Sequence, residues 1–246
     1  YQMTYVPDDN FEQALINLGY DNILDDSVRT ASIDTVTNLN VSNDSIADLT
    51  GIEDFAALNE LNCYGNQLIS LDVSNNAALQ KLYCWNNQLT SLGSNNPALT
   101  NLRCQANQLT SLDVSNNASL TDFLCSDNQL TSLDIRNGNN VNFNTSFTAL
   151  NNPNLYCIDV DNAAWSTANW TNIDFETSFS ENCSLAGCVD SLACNYNSLA
   201  WIDDGSCILP DGCTDPVACN YDSLATCDDG SCLTIYGCTD STALNY

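Results

Sequence analysis

Apolar residues in the middle of the chain recur in the pattern L-x-x-L-x-C-x-x-N-x-L, whose copies start at Val36, Leu58, Leu79, Leu99 and Leu120. A fixed period in the low twenties with this spacing is typical of leucine-rich repeats. Each copy predicts a short strand and a turn with an apolar edge that one repeat cannot bury alone. The sequence therefore predicts a leucine-rich repeat solenoid with short parallel strands on its concave face and a mostly irregular convex side.

Two polar or small positions of the repeat are nearly constant. An asparagine stands where the chain leaves each strand, and an inward asparagine there can satisfy buried backbone groups of the turn. A cysteine lies among the leucines, where it fills a narrow core like a short valine and has no base nearby to activate it. We expect the cysteines to be buried, reduced thiols: Cys63, Cys84, Cys104 and Cys125.

Both ends of the repeat array carry features of a cap. Residues 7–20, PDDNFEQALINLGY, predict a short amphipathic helix with Asp9 and Glu12 as a capping box and Gly19 as its stop. At the other end, residues 155–184 contain two tryptophans between Cys157 and Cys183. A disulfide between these two cysteines would contribute roughly 3–4 kcal/mol in the chain-entropy model and close the last coil.

The end of the chain is a second kind of repeat, dense in Cys, Gly and Asp. GCVDSLACNYNSLAWIDDGSC (187–207) is followed by GCTDPVACNYDSLATCDDGSC (212–232) and by the start of a third copy, GCTDSTALNY. Units this short cannot build a hydrophobic core, so disulfides must stabilise them. The recurring spacing predicts the pairs Cys188–Cys207, Cys213–Cys232 and Cys219–Cys227, and it leaves Cys194 and Cys238 without an obvious partner, the latter expected to pair beyond residue 246.

Oxygen ligands gather in the first two of these modules. Several carboxylates and amides in one small loop-rich unit suit calcium, which takes six to eight oxygens. The competing interpretation is that Asp-Asp-Gly makes a tight turn and the other side chains cap backbone groups. The candidate calcium ligands are Asp190, Asn195, Asn197, Asp203 and Asp204 in the first module and Asp215, Asn220, Asp222, Asp228 and Asp229 in the second.

Three parts of the chain together resemble a known protein family. YVPDDNFEQALINLGYDN, the L-x-x-L-x-C-x-x-N-x-L-T-S-L-D-V-S repeats and the NPNLYCIDVDN…WTNID…FSENC ending are similar to exported bacterial surface proteins with cysteine-bearing leucine-rich repeats. The G-C-T-D…N-Y…D-D-G-S-C modules resemble spacers found in the same kind of protein. The resemblance implies delivery by the type IX secretion system to the outer surface or the medium.

Composition excludes several functions. The 246 residues carry a formal net charge of −27, which argues against nucleic acid or an anionic membrane as the partner. No apolar run approaches the roughly 18 residues needed to span a bilayer. The chain has no histidine, so Ser-His and Cys-His nucleophile systems are impossible, and we predict that it is not an enzyme. The cysteine-rich tail indicates an oxidising, extracellular environment.

The residues that vary between the fixed positions of the repeat are expected to point outward from the predicted sheet. Aromatic and basic residues cluster there in the middle repeats, although the whole chain has only four Lys and Arg residues. Exposed aromatics with one or two cations are typical of a binding hot spot or of a platform for sugar stacking. The candidate ligand-binding residues are Tyr64, Lys81, Tyr83, Trp85, Arg103 and Gln105.

Two functions fit this organisation. The first is binding or adhesion to a protein or glycan on a surface, through the concave face and without a cofactor other than calcium. The second is a structural stalk or a part of a larger surface assembly, with no ligand of its own. The predicted domains are an N-terminal helical cap (1–35), the repeats (36–154), a disulfide-closed cap (155–184), two modules (185–211 and 212–236) and the start of a third (237–246).

Overall fold

The computed structural model describes residues 1–143, 147–185, 187–197, 200 and 203–233. The chain divides into two compact units, Tyr1–Asn182 and Cys183–Tyr246. The predicted third module at 237–246, with Cys238, lies outside the described residues. No helix in the described ranges is both long and apolar enough to cross a membrane.

The N-terminal cap combines a strand pair with two helices. Strand β1 (Met3–Tyr5) pairs antiparallel with β2 (Ser27–Arg29). Helix α1 (Asp9–Asn17) lies between them in the sequence, and helix α2 (Thr30–Ile33) follows β2. Phe11 of α1 is fully buried, so the helix covers the first coil with its apolar side.

The start of α1 differs from the predicted capping box. Asp8, not Asp9, is the N-cap, and its Oδ1 accepts two backbone hydrogen bonds from the first turn. The other oxygen of Asp8 accepts the backbone N–H groups of Ala47 and Asp48, at 2.8 and 3.0 Å. One carboxylate therefore caps the start of the helix and attaches it to the first coil.

Glu12 has a different role from the predicted one. Its side chain is fully buried and accepts hydrogen bonds of 2.9–3.0 Å from the backbone N–H groups of Asp25, Asp26 and Ser27. Because a buried carboxylate needs such donors, Glu12 fixes the loop that leads into β2.

Strands of the repeats form a parallel sheet, called here the first sheet. Neighbouring strands pair in register, so equivalent residues of successive repeats lie side by side. The predicted fold class, a leucine-rich repeat solenoid, is confirmed. The strands of the first sheet are β3 (Asn38–Asn40), β4 (Glu60–Asn62), β6 (Lys81–Tyr83), β8 (Asn101–Arg103), β10 (Asp122–Leu124) and β12 (Phe147–Thr148).

A second row of strands makes the rest of the coil more regular than the sequence predicts. These strands also pair in parallel, in one two-stranded and one four-stranded sheet. Pairing breaks where the third repeat has Gly93 and one residue fewer than its neighbours. The row comprises β5 (Ser70–Asp72) with β7 (Ser91–Gly93), then β9 (Ser111–Asp113), β11 (Ser132–Asp134), β13 (Cys157–Asp159) and β14 (Ser178–Ser180).

Asparagine side chains link each coil to the one before it. Asn107, for example, donates from Nδ2 to the carbonyl oxygens of Cys84 and Cys104, at 3.1 and 3.0 Å. Its Oδ1 accepts the backbone N–H of Leu89 at 2.9 Å. The same bridging geometry recurs along this first asparagine ladder, which consists of Asn66, Asn87, Asn107, Asn128 and Asn152.

A second asparagine ladder, which the sequence reasoning missed, runs through the other turn of the coil. Asn96 donates to the carbonyl oxygens of Val73 and Asn76, both at 2.9 Å. Asn117 repeats this with Ser94 and Asn96. The recurring S-N-N of the repeats is the sequence signal that marks this ladder.

The cysteine column lies inside the coils. Cys63, Cys84, Cys104 and Cys125 are fully buried and form no disulfide. Burial away from water raises the pKa of all four thiols, that of Cys84 to about 12. A thiol is nucleophilic only as the thiolate, so these groups are inert packing atoms.

The last coils end in an aromatic cluster. Helix α3 (Ala163–Asn169) precedes Trp170, whose ring is buried and lies 4.5 Å from that of Phe147 and 5.5 Å from that of Phe143. Cys157 at the start of β13 is disulfide-bonded, as is Cys183 in the following unit. The aromatic rings therefore close the apolar interior where the repeats stop.

Candidate functional site

Two aromatic rings stack at the centre of the outer face of the first sheet. Tyr64 and Trp85 occupy the same position of successive repeats, next to strands β4 and β6. Their ring centroids are 4.1 Å apart and the ring planes differ by 7°. In-register parallel strands lie about 4.8 Å apart, so the backbone spacing itself imposes this face-to-face contact.

Two further residues surround the pair. Tyr83 meets Trp85 edge to face, with centroids 6.0 Å apart, and the guanidinium of Arg103 lies 5.6 Å from the centre of the Tyr83 ring. All four side chains are partly exposed. We call Tyr64, Tyr83, Trp85 and Arg103 the central patch; the structure brings these four predicted residues together on adjacent coils.

The basic residues of this face are not free cations. Nζ of Lys81 lies 3.2 Å from a carboxylate oxygen of Glu60, the equivalent residue of the previous repeat. Arg103 bonds Asp122 of the next repeat at 2.7 Å. Hydrogen bonds to these carboxylates raise the pKa of both basic side chains. The two ion pairs leave the face nearly neutral within a molecule of net charge −27.

Several polar atoms of the same face have no partner among the described residues. Oδ1 of Asn62, Nε of Arg103, Oε1 of Gln105 and Oδ1 of Asp122 are shielded from solvent and make no hydrogen bond there. Each of these residues is only partly buried as a whole. An unpaired polar atom is costly when buried, and a ligand reaches these shielded atoms only if their side chains turn outward. The predicted site residue Gln105 has, in its repeat, the position that Trp85 has in the repeat before it.

In the modules, the candidate calcium ligands make turns. Oδ1 of Asp203 accepts from the N–H of Gly205, and Oδ1 of Asp228 accepts from the N–H of Gly230, both at 3.1 Å. Asp190, Asp204, Asp215, Asp222 and Asp229 likewise each accept a backbone N–H two residues further on. Among the described residues, no three His, Cys, Asp or Glu side chains are grouped so as to hold a metal ion.

The amides of the modules also bond the backbone. Asn195 donates to the carbonyl of Ser206 and accepts from the N–H of Ile208, at 2.6 and 2.7 Å. Asn220 makes the equivalent bonds in the second module. Most of the predicted ligand set thus satisfies backbone groups, as in the turn interpretation.

The disulfides of the modules include one that differs from the prediction. Cys188 pairs with Cys207 and Cys213 with Cys232, but the predicted Cys219–Cys227 bond is wrong. Cys227 pairs with Cys194 of the first module, and Cys219 is an exposed free thiol within the described part of the chain.

The linker between the modules explains why Cys227 pairs with Cys194. The carboxylate of Asp211 accepts the backbone N–H groups of Thr226 and Cys227, at 2.9 Å each, and the N–H of Asp211 donates to the carbonyl of Cys227. The N–H of Cys194 bonds the carbonyl of Ile208 at 2.9 Å. The linker therefore holds Cys194 and Cys227 together.

A parallel solenoid of in-register repeats, with short strands stacked coil on coil, defines a leucine-rich repeat protein. The chain is similar to the internalins of Listeria monocytogenes. It is 36% identical over 72 residues to Internalin J of serotype 4b (strain F2365), a match that covers 29% of this chain and 8% of that protein. No family model matches.

A solved structure supports the same likeness. The functional domain of InlJ from Listeria monocytogenes, which includes a cysteine ladder, is 33% identical, with a TM-score of 0.52 over 65% of this chain and 38% of that one. The chain thus spans well under half of either relative. Like that domain, this chain has a column of cysteines along its repeats.

Proposed function

We propose that the chain is a non-catalytic protein of the bacterial surface or medium that binds a protein ligand through the central patch. The observation that carries the proposal is the stacked Tyr64–Trp85 pair at the centre of a nearly neutral face. Aromatic side chains and arginine dominate protein-binding hot spots. The internalin-like repeats and the disulfides of the second unit support an exported, adhesive role.

Stacking favours a protein ligand over a glycan. A sugar packs on the open face of an aromatic ring, but Tyr64 and Trp85 each use one face on the other ring, with planes 7° apart. Tyr83 adds its contact to Trp85 nearly at right angles, at 69°. Stacking therefore leaves each of these two rings one face instead of two for a sugar, whereas ring edges and a tyrosine hydroxyl suit the mixed apolar and polar groups of a protein surface.

The paired cations point the same way. An anionic ligand needs an available positive charge, whereas Lys81 and Arg103 are already bonded to Glu60 and Asp122. The alternative role, a stalk or filament component without a ligand, does not explain why a stacked aromatic pair lies at the centre of this face.

The decisive variant is Trp85→Ala. Arrays of extracellular proteins and of glycans are probed first with the intact chain and then with this variant. Truncation of a central hot-spot aromatic costs about 2 kcal/mol or more, roughly thirtyfold in affinity. We expect specific protein hits whose binding falls by at least that factor.

The matched control is Phe175→Ala. Phe175 is 97% exposed and lies outside the first sheet, so its removal should leave the array hits unchanged. Hits that are equally sensitive to both variants, or confined to glycans, would contradict a protein-binding patch. An array without hits would favour the stalk.

Export by the type IX system, the role of the modules as a spacer, membership of a larger surface assembly and calcium binding belong to the same proposal. For calcium, the intact chain is titrated calorimetrically and compared with its Asp203→Ala, Asp228→Ala double variant. Heat that the double variant abolishes would establish a site in the modules. Absence of heat would leave these carboxylates as turn caps only.

A further inference from the structure

The two modules repeat each other in geometry as well as in sequence. Cys188, Cys213 and Cys238 follow one another at intervals of 25 residues. The bridges Cys188–Cys207 and Cys213–Cys232 have Cα separations of 4.7 and 4.8 Å. A residue of one module can therefore be compared with the residue 25 positions away in the next.

By this comparison, Cys219 is the equivalent of Cys194. The N–H of Cys194 donates to the carbonyl of Ile208 at 2.9 Å, and the N–H of Cys219 donates to the carbonyl of Leu233 at 3.0 Å. The asparagine after each cysteine makes equivalent bonds, with Asn195 accepting from Ile208 and Asn220 from Leu233. The two cysteines thus occupy equivalent positions in the two modules.

Only one of the two equivalent cysteines is bonded within the described residues. Cys194 reaches forward to Cys227 of the next module, with a Cα separation of 5.9 Å. Cys227 stands fourteen residues after Cys213, the first cysteine of its module, and the first module has Ile202 at that position. The cross-link is thus directional, from the second cysteine of one module to an added cysteine of the next.

We propose that Cys219 is one half of a second inter-module disulfide. Its partner is a cysteine fourteen residues after the first cysteine of another G-C-T-D module, the position that Cys227 has relative to Cys213. That module belongs either to the same chain or to another molecule. Successive modules are then joined covalently, as the Cys194–Cys227 bridge joins the first two. The ligand of the central patch has no part in this inference.

The chemistry is a thiol–disulfide exchange. The thiol of Cys219 and the partner thiol each lose one proton and one electron, and one sulfur–sulfur bond forms between them. The electron pair and the two protons pass to the disulfide of an oxidoreductase in the export compartment, which becomes a dithiol.

The test is a peptide map of the protein as its native cell exports it, quenched with N-ethylmaleimide and digested without reduction. We expect the Cys219 peptide to be joined to a peptide whose cysteine stands fourteen residues after the first cysteine of a module. A Cys219 peptide that carries N-ethylmaleimide, or that is joined to a cysteine at any other position, would overturn the proposal.

Two serine variants separate the possible sources and exclude misfolding. Cys219→Ser should free one partner thiol for labelling while Cys194–Cys227 stays intact. On a non-reducing gel, a covalent dimer lost in this variant identifies a partner on another molecule, and an unchanged monomer identifies one in the same chain. Cys194→Ser should expose Cys227 and leave the Cys219 cross-link in place; a switch of Cys219 to Cys227 would count against the proposal.

Discussion

At the scale of single residues, the ladder asparagines show why this position needs an amide. Asn107 donates to two carbonyl oxygens and accepts one N–H, all buried. Aspartate has the same shape but no donor when ionised, and glutamine is one carbon too long for the same turn. An amide on a short side chain is the group that satisfies both kinds of partner.

Asn107→Asp should therefore destabilise the solenoid strongly. The carboxylate would face the carbonyl oxygens of Cys84 and Cys104 without a proton to donate, and we expect a loss of about 3 kcal/mol. Urea unfolding gives the value. Gln108→Glu introduces the same charge at the next, exposed residue and should cost less than about 0.5 kcal/mol. Equal losses would mean that charge, rather than the ladder, controls the effect.

Sequence reasoning succeeds at this scale where one repeat determines the outcome, and fails where two distant segments meet. The first asparagine ladder and the burial of Cys84 follow from one period. The pairing of Arg103 with Asp122 depends on which residue the next coil places beside Arg103. The bond of Cys227 to Cys194 depends on how Asp211 folds the linker, which no local pattern encodes.

At the scale of elements, the cysteine column links the stability of the first sheet to pH. Burial raises the pKa of Cys84 from an ordinary value of 9.0 to about 12 and also raises that of Cys104. The folded protein thus holds these thiol protons more tightly than the unfolded chain does. The contribution of these protonated thiols to the free energy of unfolding is fully present below about pH 9 and is lost as pH rises toward 12.

The free energy of unfolding should fall by up to about 1.4 kcal/mol per pH unit for each column thiol that titrates only when unfolded. Guanidinium unfolding at pH 8, 9, 10 and 11 measures the slope. Cys84→Val keeps an apolar group of similar size but removes one titrating thiol. The fall of the unfolding free energy with pH should therefore become less steep by the contribution of that thiol. An unchanged slope would assign the alkaline loss to other groups.

The buried carboxylate of Glu12 on helix α1 holds the loop that leads into β2. Glu12→Gln replaces an acceptor of three backbone N–H groups by an amide with one oxygen, so at least one N–H loses its partner. We expect a loss of about 2 kcal/mol, measured by thermal unfolding. Asp9→Asn removes the same charge from an exposed position of the same helix and should cost less than about 1 kcal/mol. Similar losses would indicate a general charge effect at the helix start.

The cap also shows what sequence patterns contribute at this scale. The periodicity of Phe11 and Leu15 correctly predicts the helix, but D-D-N-F-E permits two N-caps one residue apart. Asp8 is chosen because its second oxygen reaches the backbone of residues 47 and 48 in the first coil. The second row of strands was missed because three-residue strands such as Ser111–Asp113 are fixed by their neighbours in the stack rather than by their own letters.

At the scale of the whole molecule, the two units are stabilised by different forces. Residues 1–182 bury a continuous apolar core that runs from Val6 to Trp170. The described residues of 183–233 bury few large apolar side chains and rely on three disulfides and on aspartate and asparagine turns. The sequence changes from leucine periodicity to regular cysteine spacing close to this division, because each pattern reflects the force that acts in its part.

A reducing agent should therefore destabilise the second unit and leave the first unit folded, and one experiment can measure both effects. With the described bridges cut, the modules lose their main constraint on the unfolded chain, while the strands β4, β6 and β8 keep their apolar core and their reduced cysteines. Hydrogen exchange followed by mass spectrometry, with and without a phosphine reductant, should show amide protection lost by at least tenfold in peptides from 187–197 and 203–233. Peptides from β4, β6 and β8 should keep theirs. Loss of protection in these strands would show that the solenoid itself depends on disulfides, and retention throughout the modules would show that their turns fold without the bridges.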